Sequence, residues 1–257
     1  MPQPLELSVQ LYSLRHIPVL AEQLRLVREA GLTNVEATSS NYHDAERMVA
    51  LRDTFGLSIP SGHVGMDRLR SDLDGFADTA KMLGIGTVVV WGLPEEEQPQ
   101  SARAWRAAGE ELGRFADRFA SRGMRFAFHN HDWELQAFDG GMLGLDHLFE
   151  GAAGSALSWQ ADLAWLVRGG ADVDGILDNH AARLISVHAK DIAGFGAGAD
   201  EDGWADLGHG ILPWRDWWPR LRQMNISLMV LEHDEPNDPS RFLTRSVSFA
   251  KQLEASI

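Results

Sequence analysis

Eight short β-type runs, each followed by a longer stretch, recur along this chain, and that alternation limits its fold more than any other feature. The runs are Glu6–Gln10 (ELSVQ), Asn34–Thr38 (NVEAT), Ser58–His63 (SIPSGH), Thr87–Trp91 (TVVVW), Arg125–His129 (RFAFH), Leu157–Asp162 (LSWQAD), Leu184–His188 (LISVH) and Leu228–Glu232 (LMVLE). Gly, Pro, Asn or Asp turn signals bound each of them. Between them lie helical patterns. Val19–Ala30 sets Leu20, Leu24, Val27 and Ala30 on one face, Glu22, Gln23 and Arg25 on another, and stops at Gly31. Arg70–Leu83 stops at Gly84, and Ser101–Ser121 has Ser101 as N-cap with Gly123 past its end. Asp238–Leu253 opens with Asp238 as N-cap and Pro239 in the first turn. Gly169-Gly170 and the Gly-rich 194–212 stretch interrupt the pattern after the sixth and seventh runs.

Eight βα units within 257 residues, with no linker and no shift of composition, predict one α/β domain over 1–257, a single (β/α)8 TIM barrel. An open doubly wound sheet would carry a Gly-rich phosphate loop after its first strand, and VQLYSLRH has none. A formal charge of −14, with no Lys/Arg cluster, argues against nucleic acid as a partner. The absence of cysteine excludes disulfides and thiolate metal sites. The N-terminal stretch lacks a basic start and an apolar core, and no window reaches the length of a membrane span, so a soluble cytoplasmic protein without membrane association is expected.

In such a barrel the polar residues that close the strands converge on one rim, however far apart they lie in the chain. The fifth run ends at His129 and continues through Asn130, His131, Trp133 and Glu134; the sixth ends at Asp162. The seventh gives His188 and Lys190, and the eighth Glu232, His233 and Asp234. Individually each has an ordinary explanation, Asp162 as a helix N-cap above all. Glu232 resists it, because a carboxylate ending an apolar strand is costly without a partner. Together, carboxylate, carboxylate, imidazole and carboxylate at four successive strand ends suit one divalent cation, Mn²⁺, Zn²⁺, Mg²⁺ or Co²⁺. His63 closes the third run as a ligand, a turn residue or, the favoured reading, a substrate contact. Glu36 is either a buried structural carboxylate or a site residue. His16, His43, His147, His180 and His209 have no such placement.

These residues carry a resemblance. VQLYSLR, GLTNVEA, SGHVG, FHNHDWE, ADLAW followed by GG, VHAKD, GHGILPW and LEHDEPNDPSRFLTRSVSFAKQL together resemble the sugar phosphate isomerase/epimerase family of xylose-isomerase-like barrels, along essentially the whole chain. The resemblance implies a single divalent metal held by Glu134, Asp162, His188 and Glu232. Ketohexose epimerases of this family carry their first metal glutamate on the fifth strand, about where His129 stands here. The ligand then comes from Glu134, or is replaced by His129 or His131. The chemistry implied is abstraction of a proton beside the carbonyl of a keto sugar or related polyol, with the cation stabilising the enediolate. His129, His131 and Glu232 are the acid/base candidates, and Lys190 places a charge near the developing oxyanion. Trp91, Trp133, Trp165 and Trp204 offer flat faces to a small sugar substrate, with ordinary packing the alternative for at least two of them. Gly194–Gly210 is a candidate lid. A lyase or dehydratase acting on a 3-keto sugar or inosose needs the same first step, and a non-catalytic sugar-binding barrel is the reading from another class. An endonuclease IV activity would need further metal ligands and a basic face, and neither is present. The family implies a homodimer.

Overall fold

The computed structural model describes residues 4–257. Its strands are β1 (Glu6–Gln10), β2 (Asn34–Ala37), β3 (Ser58–Val64), β4 (Thr87–Val90), β5 (Arg125–His129), β6 (Leu157–Asp162), β7 (Leu184–Ala189), β8 (Asp191–Ile192), β9 (Trp204–Ala205) and β10 (Leu228–Leu231). Eight of them close a barrel in the order β1-β10-β7-β6-β5-β4-β3-β2, while β8 and β9 pair antiparallel on their own. Each of the eight expected runs supplies one barrel strand. Ends move by a residue or two: β3 extends to Val64, β2 and β4 stop at Ala37 and Val90, and Glu232 stands just past β10.

The helices are α1 (Leu20–Glu29), α2 (Ala45–Phe55), α3 (Met66–Leu83), α4 (Ala102–Ser121), α5 (Gly144–Gly151), α6 (Leu163–Arg168), α7 (Val173–His180), α8 (Trp214–Gln223) and α9 (Pro239–Ala255). Helix α3 begins four residues before the periodic segment, because Asp72 leaves helical geometry (φ −159°, ψ 70°) and breaks the pattern near its start. The Gly169-Gly170 pair splits the segment after β6 into α6 and α7, with Gly170 at φ +77°. The expected caps form: Ser101 Oγ accepts from Ala104 N–H, and Asp238 accepts from the N–H groups of Ser240 and Arg241. No helix among the described residues is long and apolar enough to cross a membrane.

The chain divides into two compact units, one made of the residues up to Pro60 with Ile185–Ile257, the other of Ser61–Leu184. In the first, β7 alternates Ser186 and His188 with Val187 and Ala189, so one face of the strand is polar and the other apolar. In the second, α4 buries Trp105, Leu112, Ala116 and Phe119, and meets α5 through glycine. A Cβ on Gly109 would stand 1.9 Å from the Leu148 carbonyl oxygen, and one on Gly151 2.0 Å from that of Arg106. Gly109→Ala should therefore lower stability by about 1–3 kcal/mol through overpacking, although the same change in an open helix gains about 1 kcal/mol. Thermal unfolding measures the sign directly.

Candidate active site

In the Ser61–Leu184 unit, neighbouring parallel strands bring three of the predicted residues together. His63 is paired in register with Val89 on β4, and Val90 in turn with Phe128 on β5. His129 is paired with Gln160 on β6, two residues before Asp162. The His63 ring lies 5.0 Å from that of His129 and its Nε2 is 2.7 Å from Gln160 Oε1. His129 Nε2 stands 3.8 Å from Asp162 Oδ2, with both side chains almost wholly enclosed. Asp162 also does what its N-cap reading required: Oδ1 accepts from Trp165 N–H at 2.9 Å. One oxygen thus caps α6 and the other faces His129.

Beyond β5 the chain folds into a short turn, Trp133–Leu135, of 3-10 geometry. That turn sends His131 outward, stacked on Trp133 at 4.2 Å and 15° and tilted against Trp165 at 5.3 Å. Gly92 has φ +148°, and a Cβ there would come within 3.4 Å of Trp133, so glycine lets the end of β4 pass close behind the indole. Trp91, at the same end, is 40% exposed. Trp133 and Trp165 therefore border His131, whereas Trp204 is buried and Lys190 Nζ lies over it, 4.7 Å from its ring centroid.

Glu134 is fully buried. Its Oε2 accepts from His131 N–H at 2.9 Å. Burial pushes the carboxyl up to about 8, outweighing the N–H groups that lower it. The folded state thus holds a proton that the unfolded chain releases above about 4.5. The sign follows: Glu134's contribution to stability is complete below about pH 4.5 and is lost as pH rises toward 8, at up to about 1.4 kcal/mol per pH unit. In Glu134→Gln that decline should disappear, so urea denaturation at pH 5 and pH 8 gives a smaller difference than in the wild type. Parallel profiles would show that Glu134 does not carry the proton.

The other unit holds a second cluster. His188, fully buried, hydrogen-bonds Glu232 Oε2 through Nδ1 (2.8 Å) and Glu36 Oε1 through Nε2 (2.7 Å). Glu36 also accepts from Gln10 Nε2 at 3.2 Å. Burial alone lowers the His188 pKa, but the charges of Glu232 and Glu36 outweigh it and raise the imidazole to about 10. Lys190, also buried, reaches Glu232 and Asp234, each at 2.8 Å. Burial raises the Glu232 carboxyl, yet Lys190 and His188 hold it well below the usual carboxylate range. Burial first, and the Glu36 charge second, push the Tyr42 phenol upward. Glu36, left open between two roles by the sequence, is thus a partner of His188.

The Gly194–Gly210 segment is fastened to its own unit. Arg241 pairs with Glu201 and Asp206, and Asp191 accepts from the N–H groups of Ile192, Gly208 and Leu212. Gln10, Asn130, Gln160 and Asp234 are the site neighbours that strand-end reasoning did not assign a role. Their signal is positional: Gln10 ends β1, Gln160 lies on β6 and Asn130 follows β5.

A family model of the xylose isomerase-like TIM barrel matches residues 13–253, and the chain belongs to that family. Among solved structures it is similar to a sugar phosphate isomerase/epimerase from Parabacteroides distasonis (16% identity, 98% of this chain and 96% of that one, TM-score 0.79). It is similar also to the IOLI protein solved with a zinc atom (14%, 98% and 97%, TM-score 0.76). A third is the 3-keto-D-glucoside 4-epimerase YcjR from E. coli (16%, 96% and 99%, TM-score 0.69). At these identities the likeness is one of fold. No curated protein matches the chain by sequence.

Proposed function

We propose that this chain is a metal-dependent isomerase or epimerase of a keto sugar, with one divalent cation held by His129, Asp162, His188 and Glu232. One observation carries the reading: buried imidazole–carboxylate pairs stand at the strand ends, His129 Nε2 3.8 Å from Asp162 Oδ2 and His188 Nδ1 2.8 Å from Glu232 Oε2. The donor chemistry fits. Two imidazoles and two carboxylates, with no sulfur donor, suit a divalent cation such as Mn²⁺ or Zn²⁺. In this reading His129 stands where the family resemblance implied Glu134, whose Oε2 accepts from the His131 N–H. The zinc in the IOLI protein and the reaction in the name of YcjR agree with this class of site.

A divalent cation there would supply Lewis acidity toward a carbonyl and its neighbouring hydroxyl. The chain's own groups do the rest. His131, on the more open side and oriented by Trp133, takes the proton beside the carbonyl. Glu232, paired with Lys190, is the second proton-handling group, and the ammonium of Lys190 opposes negative charge developing nearby. His63, oriented by Gln160, meets a sugar hydroxyl, and Trp91, Trp133 and Trp165 cover the apolar face of the sugar ring.

The reading is tested by incubating metal-loaded and chelator-stripped protein with a panel of keto sugars and analysing the products. Interconversion of stereoisomers or of carbonyl position, lost on chelation and restored by Mn²⁺ or Zn²⁺, supports it. Dehydrated products would assign the chain to the lyases. No turnover with any sugar, while binding persists, would leave a sugar-binding barrel.

A further inference from the structure

Asn130 is wholly buried beside Asp162, and all of its hydrogen-bonding groups are directed. Its Oδ1 accepts from Asp162 N–H at 3.0 Å, and its Nδ2 donates to the Asp162 carbonyl at 3.2 Å. The regular β5–β6 pairing ends at His129 opposite Gln160. Past that point the side-chain amide of Asn130 grips both backbone groups of Asp162. A third bond fixes which way the amide points. Trp159 Nε1–H donates to the same Oδ1 at 2.9 Å, and an indole nitrogen can only donate. Oδ1 must therefore face Trp159, which leaves Nδ2 for the Asp162 carbonyl. Trp159 itself is held on the outer side of β6, with its ring 6.0 Å from both Phe149 and His180.

The Asp162 carboxylate is constrained at both ends as a result. Asn130 fixes its backbone, Trp165 N–H holds Oδ1, and Oδ2 is left 3.8 Å from His129 Nε2. We propose that Asn130 is a positioning residue, oriented by Trp159, whose grip on the Asp162 backbone aims the Asp162 carboxylate at the cation position beside His129. The inference rests on the reading of Asp162 as a metal ligand. A structural role alone would also use these bonds, but it would affect unfolding and not the affinity of the folded protein for a metal.

The test is calorimetric titration of chelator-stripped protein with Mn²⁺ or Zn²⁺, for the wild type, Asn130→Ala and Trp159→Phe. Circular dichroism and unfolding midpoints of the metal-free proteins are measured alongside. Asn130→Ala should weaken metal binding by about 10–100-fold, the range seen when support of a ligand is removed. Trp159→Phe leaves Asn130 and Asp162 in place and should produce a smaller loss in the same direction. Wild-type affinity in both folded variants, whatever their midpoints, overturns the proposal. If Asn130→Ala does not fold, Trp159→Phe decides by the same criterion. A wild type that binds no divalent metal overturns the functional reading, and this inference with it. Metal binding by the wild type with unchanged variants overturns this inference alone.

Discussion

His188→Leu should abolish retention of a divalent cation and reduce turnover on the order of 10³-fold, the loss of several kcal/mol of transition-state stabilisation. His188 is enclosed on every side and stands between Glu36 and Glu232, with a hydrogen bond to each below 3 Å. Leucine fills most of its volume, so the fold around β7 has no cavity to collapse. What disappears is the nitrogen donor and the positive charge that the two carboxylates share. The metal-free variant should also be less stable than the metal-free wild type at neutral pH, because breaking a buried pair leaves charge uncompensated. Metal content after dialysis and turnover by the reloaded enzyme are the two readouts. Unchanged metal content in His188→Leu would remove β7 from the site.

The second large effect belongs to Lys190. Its ammonium bridges Glu232 and Asp234 at 2.8 Å each and sits over the Trp204 ring, while its own carbonyl accepts from Trp214 Nε1–H. Lys190→Met keeps the stem and deletes the charge. The two carboxylates then face each other with no cation between them, and removal of one partner from a buried ion pair costs roughly 3–5 kcal/mol. For a chain of this size that is a fall in Tm on the order of 10 °C. The carboxyl of Glu232 should rise at the same time, so the variant regains stability as pH falls and Glu232 takes up a proton. In the wild type Lys190 and His188 hold the Glu232 carboxyl low, so this gain comes on top of the one that Glu134 gives both proteins. Unfolding midpoints at pH 5 and pH 8 separate these behaviours. An unchanged midpoint at pH 8 would mean that water, and not Lys190, stabilises the pair.

The barrel was legible because each strand is short, apolar and bounded by turn residues, and eight such runs leave few ways to arrange them. The strand ends were legible for the same reason: once β6 and β7 are placed, Asp162 and His188 must close them. Position within a loop was not. Glu134 lies five residues past His129, and whether it folds back to the rim depends on a turn that the sequence leaves open. In the structure that turn holds Glu134 Oε2 on the His131 N–H, and His129 lies 3.8 Å from Asp162. Asn130 escaped notice because its role lies in hydrogen bonds to a strand some thirty residues later. Helices α2 and α5 were not singled out: α2 buries only Met48 and so carries little periodic signal, and α5 spans only eight residues. Glu36 could not be assigned without knowing that His188 lies within reach.

The central claim, that this rim removes a proton beside a sugar carbonyl with a divalent cation in place, is tested most directly in D₂O. Metal-loaded protein is incubated with keto sugars, and the recovered sugar is examined by NMR and mass spectrometry. Deuterium is expected at the carbon next to the carbonyl of at least one of them, with none after chelation and none with His188→Leu. Metal-loaded protein that exchanges no carbon-bound proton in any keto sugar it binds would contradict it.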